Sequence, residues 1–282
     1  MPVEVAKLRR GRSTRAKTAV YCVLTIGALV MAFPFVWQLL TAFKAAPEVL
    51  RVPTTVLPET WVFDNFGRAL EAIPFWSQLI TSLLSVLVRT VGQVVLCSLA
   101  GYAFARLRFP GRDVLFISLL AILMVPSQLY LLPQYEIMST FGILNTVQAL
   151  ILPGIFSAFG TFLMRQFFLS LPVELEEAAK LDGAGFFRTF YSIMLPLARP
   201  GLITLAIFTA LYSWNELLWP LIVNSDPRTL NLSAGLSFLV GQYQTNYPLL
   251  MAGAFLAQLP MIVLFLFLQK RFIEGIAFTG GK

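Results

Sequence analysis

Long runs of apolar residues, separated by short polar segments, occur six times along the chain. Each run holds roughly 20 residues, the length that a helix needs to cross the hydrocarbon core of a bilayer. Prolines and glycines inside the runs are compatible with this interpretation, because helices in lipid tolerate both. The predicted spans are Ala19–Phe43, Ser77–Gly101, Val114–Leu132, Asn145–Phe168, Pro200–Val223 and Pro248–Leu268. The pattern predicts an all-α integral membrane protein with six transmembrane helices.

The composition agrees with a chain that is surrounded by lipid. It has 282 residues, of which 57% are hydrophobic and 12% are charged, and its mean hydropathy is +0.77. A soluble domain carries about 25% charged residues, so this chain lacks the polar residues to cover a water-facing surface. The net charge of +7 comes from basic residues that lie between the spans and form no continuous stripe, so we expect no nucleic-acid partner.

The polar residues argue against most enzyme chemistry. The chain has no histidine, which excludes triad hydrolases that use histidine and zinc sites that are ligated by it. Cys22 and Cys97 both fall inside apolar runs, where a lone thiol behaves as a small hydrophobic group. A phosphate-binding P-loop needs Gly-Lys followed by Ser or Thr, and the one Gly-Lys pair is the terminal Gly281-Lys282. We therefore expect no catalytic residue, metal site or cofactor site in this chain.

The distribution of Lys and Arg predicts the orientation of the spans. Sixteen of the 21 lie in the N-terminal segment, the C-terminal segment or the loops on the same side, four lie on the opposite side, and Arg89 lies within a span. Because positive residues stay on the cytoplasmic side, both termini are predicted to be cytoplasmic. The predicted parts are a basic cytoplasmic tail at 1–18, the first helix with an external segment at 19–76, a transmembrane core at 77–271 that includes a cytoplasmic loop at 165–199, and a cytoplasmic tail at 272–282.

The cytoplasmic loop Arg165–Arg199 is polar but still patterned. A short helix is predicted to begin at Pro172, because proline suits the first helical position and the acidic residues after it complement the helix dipole. The segment Asp182–Gly185 is predicted to end this helix. A second amphipathic piece follows over Phe186–Met194, with apolar residues at helical spacing.

This loop contains a distinctive string of residues. It reads Glu177-Ala178-Ala179-x-x-Asp182-Gly183-Ala184, followed at fixed spacing by Phe190, Ile193, Leu195, Pro196 and Pro200. The string resembles, position for position, the cytoplasmic "EAA" signature of binding-protein-dependent ABC importer permeases. Other parts look like carbohydrate permeases of the maltose-transporter type, namely Gly101–Gly111, Trp214-Asn215-Glu216, Trp219-Pro220-Leu221 and Gly275–Lys282. The likeness covers nearly the whole chain after Asp64.

The resemblance implies a type I ABC importer permease fold and a function in sugar or oligosaccharide import across a bacterial cell membrane. It also implies three protein partners besides the bilayer: a second homologous permease subunit, a dimer of ATPase subunits that binds ATP and Mg, and an external solute-binding protein. The chain itself would then be a transporter subunit and not an enzyme. The external loop Asn224–Tyr247 is a candidate contact for the binding protein.

The resemblance also predicts which residues couple the chain to the ATPase. They are Glu177, Ala178, Ala179, Asp182, Gly183, Ala184, Phe190 and Pro196. A helix of about ten residues is roughly 15 Å long, which suits a short element that docks in a cleft of another subunit. Small alanine side chains allow close approach. The alternative role of Glu177 and Asp182 is helix capping and compensation of the dipole.

A second set of candidate residues lies within the spans, along a translocation path. The set is Arg89, Gln128, Tyr212, Trp214, Asn215 and Glu216, with the indole of Trp214 as a stacking face for cargo. Arg89 and Glu216 either pair with each other or contact substrate, and their different depths favour separate partners. Polar residues in membrane helices also serve as contacts between helices, so that role stays open for each of them.

Two alternatives to sugar import remain open. Glycerol phosphate and polyol phosphates are carried by the same subfamily, and Arg89 would suit an anionic cargo. An ion-coupled secondary transporter is a different class, which should show carboxylates within the membrane or broken helices in two corresponding halves. Glu216 is the one acidic residue that lies within a predicted span.

Overall fold

The computed structural model describes the backbone of residues 2–241 and 244–280, and the side chains of residues 17–241, 244–267 and 269. The predicted tails at 1–18 and 272–282 therefore fall almost entirely outside the described side chains. Within the described backbone the regular elements are all helical, and no strand occurs there. The predicted all-α fold class is confirmed.

Fifteen α-helices are present in the described residues. They are α1 Pro2–Ala42, α2 Ala46–Val49, α3 Asp64–Ala72, α4 Phe75–Arg106, α5 Arg112–Ile122, α6 Leu131–Thr140, α7 Val147–Ile151, α8 Ala158–Ser170, α9 Glu174–Leu181, α10 Phe186–Thr189, α11 Leu195–Leu197, α12 Arg199–Asn215, α13 Leu218–Val223, α14 Leu232–Gly235 and α15 Tyr247–Gly280. A π-helical turn, Phe190–Met194, joins α10 to α11.

Three of the predicted spans are single helices. The segments Lys17–Ala42, Phe75–Arg106 and Tyr247–Phe267 are each long and apolar enough to cross a bilayer. Three bent helix pairs also qualify by length and composition, which brings the total to six if each bent pair is counted as one span. The chain is therefore a multi-pass membrane protein with three spans, or up to six on that count. The third bent pair, Phe186–Leu197 with Arg199–Asn215, turns by 74° and differs from the predicted span Pro200–Val223.

The bent pairs correct the prediction of continuous helices. The third span turns by 97° between α5 and the segment that begins at Ser127, directly after Pro126. Proline removes a backbone donor and disfavours helical geometry at the preceding residue, which accounts for this bend. The fourth bends by 41° between the segments Val147–Gly154 and α8.

The fifth predicted span also breaks, because α12 ends at Asn215 and Glu216 has extended backbone geometry before α13 begins. Ending a helix inside lipid leaves carbonyl groups without partners, which is costly unless side chains satisfy them. Asn231 Nδ2 donates to the Glu216 carbonyl at 2.6 Å, and Ser233 Oγ donates to the Trp214 carbonyl at 2.6 Å. These distant side chains make the break possible.

The chain forms two compact units, the first of which comprises Met1–Ala69 and Val240–Leu256. In this unit the segment after α1 is held by an aromatic cluster and by Asn65. The rings of Trp61, Phe63 and Phe66 lie 5.1 to 5.5 Å from that of Phe43. Asn65 Nδ2 donates to the carbonyls of Ala42 and Lys44 at 2.8 and 2.9 Å.

Glu48 is a buried carboxylate in the same segment, with 3% of its surface exposed. Burial by itself raises the pKa of Glu48. The hydrogen bond from Thr55 Oγ1 at 2.6 Å, the backbone N–H of Glu59 at 3.1 Å and the charge of Lys44 outweigh burial, so the net shift of the pKa is downward. The carboxylate is therefore stabilised in its charged form.

The second unit comprises Leu70–Leu239 and Ala257–Lys282, and its core lies where α4, α8 and α12 meet. Gly101 and Gly160 allow close approach, because a Cβ at either position would lie within 3.0 Å of Met164 or Cys97. The buried core residues are Cys97, Tyr102, Met164, Phe168, Phe190, Met194, Ala198 and Leu205. The last four come from the loop Arg165–Arg199 and α12, so the loop shares a core with the spans.

Candidate functional site

The first element of the candidate site is the short helix α9, Glu174–Leu181. It begins two residues after the predicted Pro172, and its first turn carries three acidic residues. It ends as predicted, at Asp182-Gly183. Gly183 has φ +77°, its N–H donates to the Lys180 carbonyl at 3.0 Å, and the Ala184 N–H donates to the Ala179 carbonyl at 2.9 Å. This pair of bonds is a Schellman motif, which fixes the direction in which the chain leaves the helix.

The predicted coupling residues divide into an exposed and a buried group. Glu177, Ala178, Asp182, Gly183 and Pro196 are exposed, and Ala184 is half-buried. The two buried residues are Ala179, which is 4% exposed, and Phe190, which is 1% exposed. Ala179 and Phe190 therefore face the body of the protein, whereas the exposed group faces outward.

The second half of the loop anchors α9 to the spans. The Phe190 ring lies 5.0 Å from the ring of Tyr102 on α4 and 6.2 Å from that of Phe168 on α8. Met194, at the end of the π-helical turn, is fully buried in the same core. These buried contacts make the loop part of the same core as the spans.

An ion pair between Arg106 and Glu176 forms a second anchor, which the sequence did not indicate. Arg106 Nε lies 3.2 Å from Glu176 Oε1, and the two side chains are 8% and 9% exposed. Arg106 Nη2 also donates to the carbonyls of Phe168 and Leu171 at 2.7 and 2.5 Å. From sequence, Arg106 contributed to the orientation count and to the resemblance of Gly101–Gly111, and Glu176 contributed to dipole compensation. Spacing along the chain carries no sign of their contact.

A further ion pair joins Arg89 to Glu216 within the spans. Arg89 Nη1 donates to Glu216 Oε2 at 2.5 Å and Nη2 to Oε1 at 3.4 Å, and the side chains are 4% and 14% exposed. The expectation that their different depths favour separate partners is wrong. It assumed that the fifth span is one helix, and the break at Glu216 places this carboxylate beside α4.

Several contacts connect this ion pair to its surroundings. Gln93 Nε2 donates to the Gly154 carbonyl at 2.7 Å, and Thr209 Oγ1 donates to Gln93 Oε1 at 2.8 Å. A Cβ at Gly154 would overlap the Arg89 guanidinium group, so a larger residue there would displace this group from its position. The network ties α4, the turn before α8, and α12 together, which is the role of a polar contact between helices.

Of the remaining candidates on the translocation path, Tyr212 lies within electrostatic reach of this pair, and the others differ in exposure. Trp214 is 5% exposed and packs inside the second unit, so the prediction of an open stacking face is wrong. Helix packing, which sequence does not specify, covers its indole. Tyr212 is 67% exposed, and Gln128 and Asn215 are also exposed. Asn215 Nδ2 donates to the Leu211 carbonyl at 2.8 Å, within its own helix.

Much of the predicted external loop Asn224–Tyr247 folds back onto α4. Gln78 Nε2 donates to the Pro227 carbonyl at 3.0 Å, and Ser82 Oγ accepts from the Leu232 N–H at 2.7 Å. Leu230 and Leu232 are fully buried. Gln242 and Tyr243 lie outside the described residues. Contact between this loop and an external binding protein stays a prediction.

Comparison with known proteins places the chain in a family. The family model described as "Binding-protein-dependent transport system inner membrane component" matches residues 93–276. The arabinooligosaccharides transport system permease protein AraQ of Halalkalibacterium halodurans is 37% identical over 266 residues, which cover 92% of this chain and 95% of that protein. The sn-glycerol-3-phosphate transport system permease protein UgpE of Salmonella typhi is 33% identical over 276 residues, which cover 95% and 97%.

The fold has also been solved. The crystal structure of a bacterial ABC transporter involved in the import of the acidic polysaccharide alginate contains a chain that matches with a TM-score of 0.78 and 22% identity, over 92% of this chain and 97% of that one. This likeness supports the predicted type I ABC permease fold. The family match includes α9, the Arg106–Glu176 pair and the break at Glu216, and it covers well over half of the residues. The chain therefore belongs to the family of inner-membrane components of binding-protein-dependent transport systems.

Proposed function

We propose that this chain is one of two membrane-spanning subunits of an ATP-driven importer for a sugar or oligosaccharide, and that α9 couples it to a separate ATPase subunit. The observation that carries this proposal is the exposed end of α9. Glu177, Ala178, Asp182 and Gly183 are all accessible there, on a helix that is otherwise fixed to the spans.

The geometry of α9 suits docking into a cleft of a partner. Eight residues of helix span about 12 Å. The small Ala178 side chain allows a close approach, and the carboxylates of Glu177 and Asp182 offer acceptors to the partner. Because the Schellman motif at Gly183 fixes the exit from the helix, the docking element keeps one shape when the partner moves.

The residues of the chain indicate which functions other subunits would supply. It lacks the motif of a P-loop, so ATP and Mg would be bound by the ATPase dimer, and this chain would have no enzymatic role. The excess of Lys and Arg on one side favours cytoplasmic termini in a bacterial cell membrane, which puts α9 on the side of the ATPase. A second homologous permease subunit and an external solute-binding protein would complete the complex.

A neutral, hydroxyl-rich cargo is the better fit to the spans. Arg89 is paired with Glu216, so it offers little net charge to a phosphate. The exposed Tyr212, Gln128 and Asn215 carry groups that hydrogen-bond hydroxyls. Two of the relatives are named for arabinooligosaccharides and for sn-glycerol-3-phosphate, so a polyol phosphate is the alternative cargo. An ion-coupled mechanism has less support, because the carboxylate of Glu216 is already engaged by Arg89.

The test is a pull-down of the tagged full-length chain from its own membranes in mild detergent, with mass spectrometry and ATPase assays. Recovery of an ATPase, a second permease and a binding protein supports the proposal. The binding protein is then screened with arabinose oligosaccharides and with sn-glycerol 3-phosphate, which separates the two cargo classes. A chain that purifies alone and moves solute in vesicles without ATP would refute the proposal.

A further inference from the structure

The ion pair of Arg106 with Glu176 lies where α9 meets the transmembrane body. Arg106 is the last residue of α4, and Glu176 lies on α9 with its side chain turned away from the exposed docking end. The same guanidinium group donates to the carbonyls of Phe168 and Leu171, where α8 ends. One side chain therefore holds three elements together: α4, the end of α8, and α9.

This connection resists separation for an electrostatic reason. Both side chains are more than nine-tenths buried, so sliding α9 away from α4 would leave two charges without their counterions in a poorly solvated site. Breaking a buried pair is far more costly than breaking an exposed one. The nearby packing of Phe190 on Tyr102 adds an apolar contact between the same loop and the same helix.

The helix α4 extends from this point across the bilayer. At 1.5 Å per residue its 32 residues span about 48 Å, and Arg89 lies about 26 Å from Arg106 along the helix. A displacement of the cytoplasmic end of α4 therefore reaches the polar network around Arg89 and Glu216. In contrast, the first turn of α9 has no other buried charge among the described residues that could hold it to α4.

We propose that Arg106 and Glu176 are positioning residues that make α9 and α4 move as one body when the ATPase changes state. This inference deepens the proposed function and rests on it, because it takes α9 as the docking element. Arg106 and Glu176 would transmit the movement without touching nucleotide or cargo.

The test measures the distance between α9 and α4 in the complete complex. Spin labels are attached at Glu174→Cys on α9 and Val91→Cys on α4, both exposed positions, after replacement of the exposed Cys22 by serine. Cys97 is fully buried and stays in place. Pulsed EPR records the distance distribution without nucleotide and after trapping with Mg-ATP and vanadate, so no cargo has to be known.

The proposal predicts one unchanged, narrow distribution in both states when the pair is intact. With Glu176→Gln the ATPase subunit should still be recovered, but the distribution should shift or at least double in width on trapping. Glu176→Asp keeps the charge and should restore the unchanged distribution. The matched control is Asp113→Asn, which removes the carboxylate of the more exposed pair with Arg112 and should leave the distribution as in the intact protein.

Three results would overturn the proposal. One is a distribution that changes on trapping in the intact protein, and another is Glu176→Gln behaving like the intact protein. The third is loss of the ATPase subunit from the Glu176→Gln complex, which would assign the pair to docking. If the intact chain recovers no ATPase at all, the proposed function itself fails, so that failure is distinguishable from failure of the inference.

Discussion

Removing one partner of the Arg89–Glu216 pair should destabilise the protein much more than removing both partners. Glu216→Leu would leave the guanidinium group of Arg89 with Ser213 Oγ, at 3.5 Å, as its remaining side-chain acceptor. Arg89→Met would leave the carboxylate of Glu216 next to an apolar side chain. In each single variant a largely buried charge loses its counterion.

The magnitude follows from burial. The two side chains are 4% and 14% exposed, so solvent screens them little. Leaving one charge of a buried pair without its partner costs about 3 to 5 kcal/mol, whereas replacing both by apolar residues of similar size is often close to neutral. We therefore expect the double variant Arg89→Met/Glu216→Leu to lie within about 2 kcal/mol of the intact chain, with a coupling free energy of about 3 kcal/mol or more between the two sites.

The assay is the thermal loss of the monodisperse peak in size-exclusion chromatography, measured in one detergent for the four chains of the cycle. The matched control is the pair of Arg51 with Glu59, whose side chains are 57% and 51% exposed. Neutralising either of these should change stability by no more than about 1 kcal/mol. The reasoning fails if the effects of Arg89→Met and Glu216→Leu simply add, because additivity would mean that the ion pair contributes no coupling.

Three further predictions concern single sites. Gly183→Val should leave the chain in the membrane but detach the ATPase in a pull-down, because φ +77° strains a β-branched residue by about 1 to 3 kcal/mol. The control Gly185→Val, at φ −70°, should retain the ATPase. Equal retention of the ATPase by the two variants would count against the docking role of α9. Gly154→Ala should lower thermal stability by about 2 kcal/mol or more, because the Cβ of the introduced alanine would overlap the guanidinium of Arg89. An unchanged melting temperature would contradict this packing. The pKa of Glu48 is lower in the folded chain than its ordinary value near 4.3, so its contribution to stability is complete above that value and is lost as pH falls through the folded pKa. Between pH 6 and pH 3 the melting temperature should therefore fall more for the intact chain than for Glu48→Gln. Parallel curves of melting temperature against pH would refute the assignment.

The loop Arg165–Arg199 shows how local sequence specifies local structure. The end of α9 at Asp182-Gly183 was predictable because glycine suits the left-handed conformation of a helix C-terminus. The acidic first turn likewise indicated a helix start, although α9 begins at Glu174 rather than Pro172. The same string could not show that Phe190 lies in the core beneath α9, because burial depends on the helices that pack against it.

The spans show what hydropathy along the chain cannot predict. The apolar runs predicted helices in lipid, since backbone groups without water must bond within their own segment. They did not predict the break at Glu216, because the groups that satisfy its carbonyl and that of Trp214 come from Asn231 and Ser233, 15 and 19 residues further along the chain. The hydropathy of the predicted span Pro200–Val223 therefore did not reveal the interruption within it.

The sequence by itself determined that the chain is helical, that it spans a membrane, and where α9 ends. These features depend on hydropathy, local turn geometry and residues that are close along the chain. The partners of the buried charges were decided only by the tertiary structure. Arg89 lies 127 residues from Glu216, and Arg106 lies 70 residues from Glu176, yet each pair is in direct contact. Such contacts arise from the packing of whole helices, and no local pattern encodes which distant carboxylate a buried arginine will meet.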